Sequence, residues 1–235
     1  PEFDRYARYN SWGSSTEIFS WEDMCNMELP VPSIEKQQEI VKEYNTIVNR
    51  IKLNEQLNHK LAETAQALYK HWFVDFEFPN EKGKPYKSSG GAMIYNEELE
   101  KEIPEGWATQ QLSDFCEIGS SKRIYESEYQ KSGIPFYRGK EVTLKKAGEP
   151  ITDPIYISKN RYSELVEKYG KVEQGDILMT AVGTIGSTYM VDDEEFYFKD
   201  GNVIWFKNFS CKGYNYFVYD FMQSESFESL ISEIT

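Results

Sequence analysis

The sequence predicts an α+β protein: a β-rich domain with a few helices, plus one long helix forming an antiparallel coiled coil with a partner helix. Three observations predict it. Residues 34–78 hold no Gly and no Pro and are mostly helix formers. From Trp107 onward, short apolar or alternating runs are separated by Gly, Asn and Asp turns, the pattern of a sheet-rich domain. Between them, residues 79–91 are dominated by turn residues and charges, so 79–104 reads as an exposed linker.

Residues 1–33 suggest a short helix near residues 2–9 and an extended stretch at 27–31, too little to fold alone. Ser33, after Leu29-Pro30-Val31-Pro32, is placed to N-cap the long helix, and Glu35 in its first turn favours the helix dipole. Ile40, Tyr44, Ile47 and Ile51 follow at helical spacing, with Val41 and Val48 beside them, and Leu53, Leu57, Leu61 and Leu68 continue the stripe. Asn54 and Asn58 interrupt a strict heptad. A helix over residues 33–76 would be roughly 65 Å long. It reads either as the core helix of a bundle or as a spacer arm. The arm is favoured because the chain offers no second helix of that length. In the β-rich domain, strands are expected at 134–137, 155–157, 176–181, 187–191 and 203–207, and helices at 158–169 and 214–230. Phe3-Asp4 and Phe227-Glu228 are weakly alike, which matters only if the parent protein is a tandem repeat of about this length.

The chain has 235 residues and a formal charge of -13, from 26 Lys+Arg against 39 Asp+Glu. That balance argues against gripping nucleic acid through bulk charge. At 40% hydrophobic residues the chain is not of disordered composition. No apolar run approaches the roughly 18 residues of a membrane span, and no secretory signal pattern opens the chain. Cys25, Cys116 and Cys211 are odd in number and form no C-x-x-C, so reduced thiols and a cytoplasmic location are expected. Pro1 stands where a Met would, so a longer parent protein is expected.

Catalytic chemistry is hard to find. The only histidines, His59 and His71, lie on the long helix, which argues against a His-based triad or a two-His metal site. There is no phosphate-cradling G-x-x-x-x-G-K-[ST], no acidic-x-Lys pair and no Asn/Asp-Pro-Pro-aromatic run. Gly183-Thr184-Ile185-Gly186 reads as a hairpin corner rather than a nucleotide loop, and Asp192-Asp193-Glu194-Glu195 as a solvated turn rather than a metal site. No enzyme activity, metal or cofactor of its own is expected. Residues 119–147 run against the overall charge: Lys122, Arg123, Lys131, Arg138, Lys140, Lys145 and Lys146 face only Glu126, Glu128 and Glu141. Tyr125, Tyr129, Phe136 and Tyr137 are interleaved. Such a stretch suits phosphate neutralisation and base contacts, but is also compatible with an ordinary solvated loop. Thr180, Thr184, Ser187 and Asn202 add short polar groups near strand ends.

Three stretches resemble the specificity subunit of type I restriction-modification systems. Residues 24–41, with Pro30-Val31-Pro32-Ser33-Ile34-Glu35-Lys36-Gln37-Gln38-Glu39-Ile40, resemble the start of that family's long spacer helix. Leu68-Tyr69-Lys70-His71-Trp72-Phe73-Val74-Asp75-Phe76-Glu77-Phe78-Pro79 resembles its end. Ile103-Pro104-Glu105-Gly106-Trp107, with Ile134-Pro135-Phe136-Tyr137-Arg138, is similar to the opening of a target-recognition domain, and Gly175-Asp176-Ile177-Leu178-Met179-Thr180 to its middle.

The resemblance implies two recognition domains per full subunit, each reading half of a split double-stranded DNA site. Antiparallel helices set the gap between the halves. On that map residues 1–33 are the tail of one recognition domain, 34–78 the spacer helix, 79–104 a linker and 105–235 the front of the next domain. The implied partners are DNA, methyltransferase (modification) subunits and, through the complex, the restriction subunit. S-adenosylmethionine would be bound by the methyltransferase, not here. Expected DNA contacts are Lys122, Arg123, Tyr137, Arg138 and Lys140, then Thr184, Ser187, Lys199 and Asn202. Ile40, Tyr44, Ile47, Ile51, Leu57, Leu61 and Leu68 are expected to face a partner helix, with a homodimer through that helix as one form. The competing reading is a coiled-coil scaffold with a β-rich ligand-binding domain and no role at DNA.

Overall fold

A computed structural model describes residues 2–13 and 18–234. The chain divides into two units, Pro1–His59 and Lys60–Thr235. The first contains α1 (Glu2–Asn10), α2 (Trp21–Cys25) and most of α3 (Ile34–Tyr69), which continues into the second unit. Ser20 N-caps α2 by accepting the Asp23 N–H at 3.0 Å. The Phe19 ring meets Phe3 and Tyr6 edge-on, at 6.1 and 6.2 Å between centroids. The Tyr6 hydroxyl donates to the Asp23 carbonyl. Helix α3 has 36 residues, about 54 Å at 1.5 Å per residue. Its apolar stripe of Ile40, Tyr44, Ile47, Ile51, Leu57, Leu61 and Leu68 is exposed throughout.

In the second unit, the last turn of α3 buries Tyr69 against Phe73 and Phe217, and Gln66 donates to the Asp220 carbonyl at 3.0 Å. A π-helical turn, Lys70–Val74, ends the rod. There the chain swings into an aromatic stack in which Phe78 lies between Tyr86 at 4.7 Å and Trp107 at 5.2 Å. The segment expected as a linker is therefore folded. It carries an antiparallel hairpin of β1 (Met93–Asn96) and β2 (Lys101–Pro104), and Asn80 caps its own turn by accepting the Lys82 and Lys84 N–H groups. As its turn-rich composition predicts, 79–91 is mostly exposed, but its tight turns are anchored by the ring stack at Phe78, Tyr86 and Trp107.

Next come α4 (Leu112–Phe115), β3 (Glu117–Gly119), β4 (Ile134–Tyr137), α5 (Gly139–Ala147), β5 (Ile155–Ile157) and α6 (Lys159–Tyr169). They are followed by β6 (Ile177–Thr180), β7 (Thr188–Met190), β8 (Tyr197–Phe198), β9 (Val203–Lys207), α7 (Tyr214–Met222) and α8 (Glu225–Ile234). Two sheets result. One is antiparallel with order β3-β9-β6-β7, and the other has order β5-β4-β8 with β4 and β8 parallel.

The period of two along each strand divides the core. On β4, Phe136 joins Ile134, Ile157, Tyr162 and Leu165 under α6, while Tyr137 points into a second cluster with Val142, Leu178, Phe196 and Trp205. On β6 and β9, Leu178 and Trp205 belong to that second cluster, and Ile177 and Phe206 to a third beneath α7 with Val218 and Met222. The four-stranded sheet is thus covered on both faces. Each fully buried Ile, Leu or Phe contributes roughly 1.5–3 kcal/mol. The helix expected over 214–230 is broken in two. Ser224 interrupts it because its hydroxyl accepts the Phe227 N–H at 3.3 Å and donates to the Phe221 carbonyl at 2.6 Å, a cap in place of a continuous helix.

Candidate nucleic-acid interface

Helix α5 starts because Arg138 is extended (φ -101°, ψ -177°) and Glu141, three residues on, reaches back to accept its N–H at 2.9 Å. The same carboxylate takes the Arg138 guanidinium two-pronged, from Nε at 3.0 Å and Nη2 at 2.6 Å. Glu141 is only 1% exposed, so its charge is held almost wholly by Arg138. Burial works against ionisation of Glu141, but the hydrogen bonds from the Arg138 side chain and backbone outweigh it and hold the carboxyl below the usual value. The hydrogen bonds to Glu141 in turn push the Arg138 pKa up. Gly148, left-handed at φ +68°, closes α5 with its N–H on the Lys145 carbonyl.

The second wall is the turn joining β6 to β7, where Gly183 (φ +83°) and Gly186 (φ +81°) supply the left-handed conformations of a tight corner. This is the hairpin corner expected from Gly183-Thr184-Ile185-Gly186. Thr180, fully buried, fixes it by donating to the Thr184 carbonyl and accepting the Ser187 N–H at 3.0 Å. Thr184 is tied to α5 through a 2.9 Å hydroxyl contact with Thr143. The third wall follows β8. The Lys199 N–H donates to the Tyr137 carbonyl at 2.8 Å, and the Asn202 carbonyl accepts the Ala181 N–H at 2.8 Å.

These three walls enclose an open depression of about 520 Å³ lined by Arg138, Gly139, Lys140, Thr143, Leu144, Val182, Gly183, Thr184, Lys199 and Asn202. Its lining carries three cations and no carboxylate. Five expected DNA contacts, Arg138, Lys140, Thr184, Lys199 and Asn202, thus come from distant parts of the chain to one place. Sequence reasoning missed Glu141, Thr143 and Val182. The signal the sequence carries for Glu141 is its place three residues after Arg138, the spacing of a capping box.

The remaining candidates sit elsewhere. Arg123 pairs with Asp200 at 3.2 Å, next to Lys199 in the chain, and Lys122 lies 4.9 Å over the Tyr169 ring. Ser187 is half-buried at the inner end of the β6–β7 corner. Tyr137 is a correction: it is 2% exposed, stacks on Phe196 at 4.4 Å and donates to Glu194 at 2.6 Å, so it is part of the core and not of the surface. Burial, then the hydrogen bond to Glu194, pushes its hydroxyl pKa far up. The 192–195 turn, expected as merely solvated, is also a structural anchor, since Lys145 pairs with Glu194 and, at 3.7 Å, with Asp192. Among the described residues, no group of three or more His, Cys, Asp and Glu side chains is placed to hold a metal ion. No helix there is long and apolar enough to cross a membrane.

A β-rich domain with a cationic, carboxylate-free depression at its surface fits a DNA-reading module. Residues 104–235 match the family described as type I restriction modification DNA specificity domain, and the chain belongs to that family. It is 32% identical over 139 residues to the type I restriction enzyme MjaIX specificity subunit of Methanocaldococcus jannaschii, covering 58% of this chain and 30% of that protein. It is 38% identical over 58 residues to the type I restriction enzyme HindI specificity subunit of Haemophilus influenzae, covering 25% of this chain and 13% of that one. The matched region spans less than a third of either relative's length. Among solved structures, the HsdS subunit from Thermoanaerobacter tengcongensis aligns with 93% of this chain and 49% of its own, at 17% identity and TM-score 0.41. The type I S subunit from M. genitalium aligns with 94% and 52%, at 14% identity and TM-score 0.44.

Proposed function

We propose that this chain is a sequence-reading part of a type I restriction-modification specificity subunit, and that residues 105–235 read one half of a split double-stranded DNA site through the depression between α5, the β6–β7 corner and the loop after β8. The observation that carries this is the convergence of Arg138, Lys140 and Lys199 with Thr184 and Asn202 on a lining without a carboxylate. The cations neutralise phosphates and fix register, while the hydroxyls, the amide and one arginine reach base edges. The chain itself performs no chemistry. Adenine methyltransferase subunits, which bind S-adenosylmethionine, dock on it and are positioned by it, and the restriction subunit joins through them. The site of action is the cytoplasm.

The exposed stripe on α3 supports pairing with a second helix of the same kind, antiparallel, either from the rest of a full-length subunit or from a second copy of this chain. Residues 1–33 serve as the tail that completes a recognition domain.

The test is Lys140→Glu with Lys199→Glu, measured as affinity of the assembled complex for duplex DNA. Both side chains line the depression without an ion pair among the described residues, so the fold does not depend on them. Reversing Arg138 is a poor test, because a second carboxylate there would leave buried Glu141 unpaired. Sequence-specific binding is expected to disappear at moderate salt, and unchanged affinity would overturn the assignment.

A further inference from the structure

We infer that Glu141 is a positioning residue that sets Arg138 to read the edge of a guanine. This rests on the reading of the depression as a DNA interface. An arginine has five N–H donors in a rigid fork. Glu141 engages the side of that fork, Nε at 3.0 Å and Nη2 at 2.6 Å. The end of the fork, formed by the Nη1 hydrogens and the second Nη2 hydrogen, has no hydrogen-bond partner among the described residues, and Arg138 lines the depression. Two parallel donors at that end match the O6 and N7 acceptors of guanine in the major groove. A free arginine would lose side-chain entropy on ordering against a base, whereas this one is already ordered by a carboxylate that is 1% exposed. Lys140, without such a buttress, is left to the phosphates.

A geometric consequence separates reading from mere charge. Glu141→Gln keeps an oxygen for the Arg138 backbone N–H and keeps the arginine charge, but it places an NH2 against one prong of the fork. Arg138 then loses its fixed orientation, not its cation.

The experiment takes the full chain with its methyltransferase subunit, selects preferred duplexes from a library with a randomised core, and measures affinity for the winner and for a scrambled duplex, with thermal melting alongside. Arg138→Ala is expected to weaken binding to the winner about tenfold or more and to relax one G·C position. Glu141→Gln is expected to relax that same position and weaken the winner in the same direction, without weakening the scrambled duplex. In the Arg138→Ala background Glu141→Gln should add nothing. If Glu141→Gln weakens the winner equally in both backgrounds, or leaves its preferred sequence unchanged while Arg138→Ala alters it, the inference falls and the DNA reading survives. Should Glu141→Gln show no melting transition, Arg138→Lys decides instead: it keeps the charge and loses the fork, and must relax the same G·C position, with an unchanged preference overturning the inference. If Arg138→Ala and Lys140→Glu with Lys199→Glu both leave affinity intact, the DNA reading itself falls, and this inference with it.

Discussion

Tyr137 shows how a residue type misleads when its neighbours are unknown. It stands in a basic, aromatic-rich stretch, next to Arg138, and tyrosine is a common interface residue. The strand decides otherwise. Position 137 alternates with Phe136, and because the protein covers both faces of this region, the second face is core as well. Tyr137→Phe is expected to cost about 1.5–3 kcal/mol, the worth of a hydrogen bond to a charged group, with no change in DNA affinity. Chemical denaturation and a binding titration check the two halves. Arg138 went the other way, since charge clustering found it but Glu141, which orders it, carried the sign of an ordinary solvated carboxylate.

The Tyr69 and Tyr162 hydroxyls are pushed up to about 12, by burial first and then by Asp220 and Glu195 respectively. Their unfolded-state pKa is about 10, so the folded state holds its protons longer. The stability they contribute is complete below about pH 10 and is lost as pH rises toward 12. Glu141 has the opposite sign: its folded pKa is depressed, so its contribution is present at neutral pH and is lost as pH falls through that lowered value. Melting temperatures across pH should therefore fall at both ends, and Glu141→Gln should flatten the acid limb specifically.

At the scale of elements, strands were legible wherever apolar runs were short and bounded by turn residues. Strands β4, β5 and β9 lie where that pattern placed them, as does α6, whose Ser158 cap accepts the Arg161 N–H at 3.1 Å. Helix α5 was not legible. Its sequence Gly139-Lys140-Glu141-Val142-Thr143-Leu144 opens on a glycine, mixes β-branched residues with charges and buries only Glu141 and Val142, so no apolar stripe marks it. The β1–β2 hairpin was missed for a related reason: its strands are only four residues long and mostly exposed, with Ile103 and Pro104 their buried positions, so no alternating apolar run marks them. The long helix was legible from its lack of Gly and Pro, although what stops it, the π-helical turn and the Tyr69–Phe73–Phe217 ring cluster, was not.

Gly148→Ala places a side chain at φ +68° and is expected to cost about 1 kcal/mol, read as a lower melting temperature. Ile47→Asp with Leu57→Asp on the exposed stripe should leave the melting of the β-rich unit unchanged but abolish helix pairing. Sedimentation of the full chain or complex, with and without the two changes, measures it. Identical sedimentation at high concentration would contradict the pairing.

For the whole molecule, a net charge of -13 argues against gripping DNA through bulk charge, but where the charges lie decides what DNA could meet. Two cations of the lining, Lys140 and Lys199, have no ion pair among the described residues, whereas others are engaged internally: Arg138 by Glu141, Lys145 by Glu194 and Asp192, and Arg161 by Glu128 at 2.8 Å. On the proposed function only a small patch reaches DNA, so the salt dependence of binding by this chain should be shallow. Each phosphate contact adds about one unit to the slope of log affinity against log salt. A slope of about -2 to -4 is expected for the chain itself.

On the proposed function, DNA lies in the depression bounded by α5, the β6–β7 corner and the loop after β8. Photo-crosslinking of the assembled complex to a selected duplex carrying halogenated bases, followed by peptide mass spectrometry, tests it directly. The crosslinks are predicted to fall in peptides spanning residues 138–144 and 182–202. Crosslinks confined to other parts of the chain, such as the β1–β2 hairpin or the exposed face of α8, would contradict it.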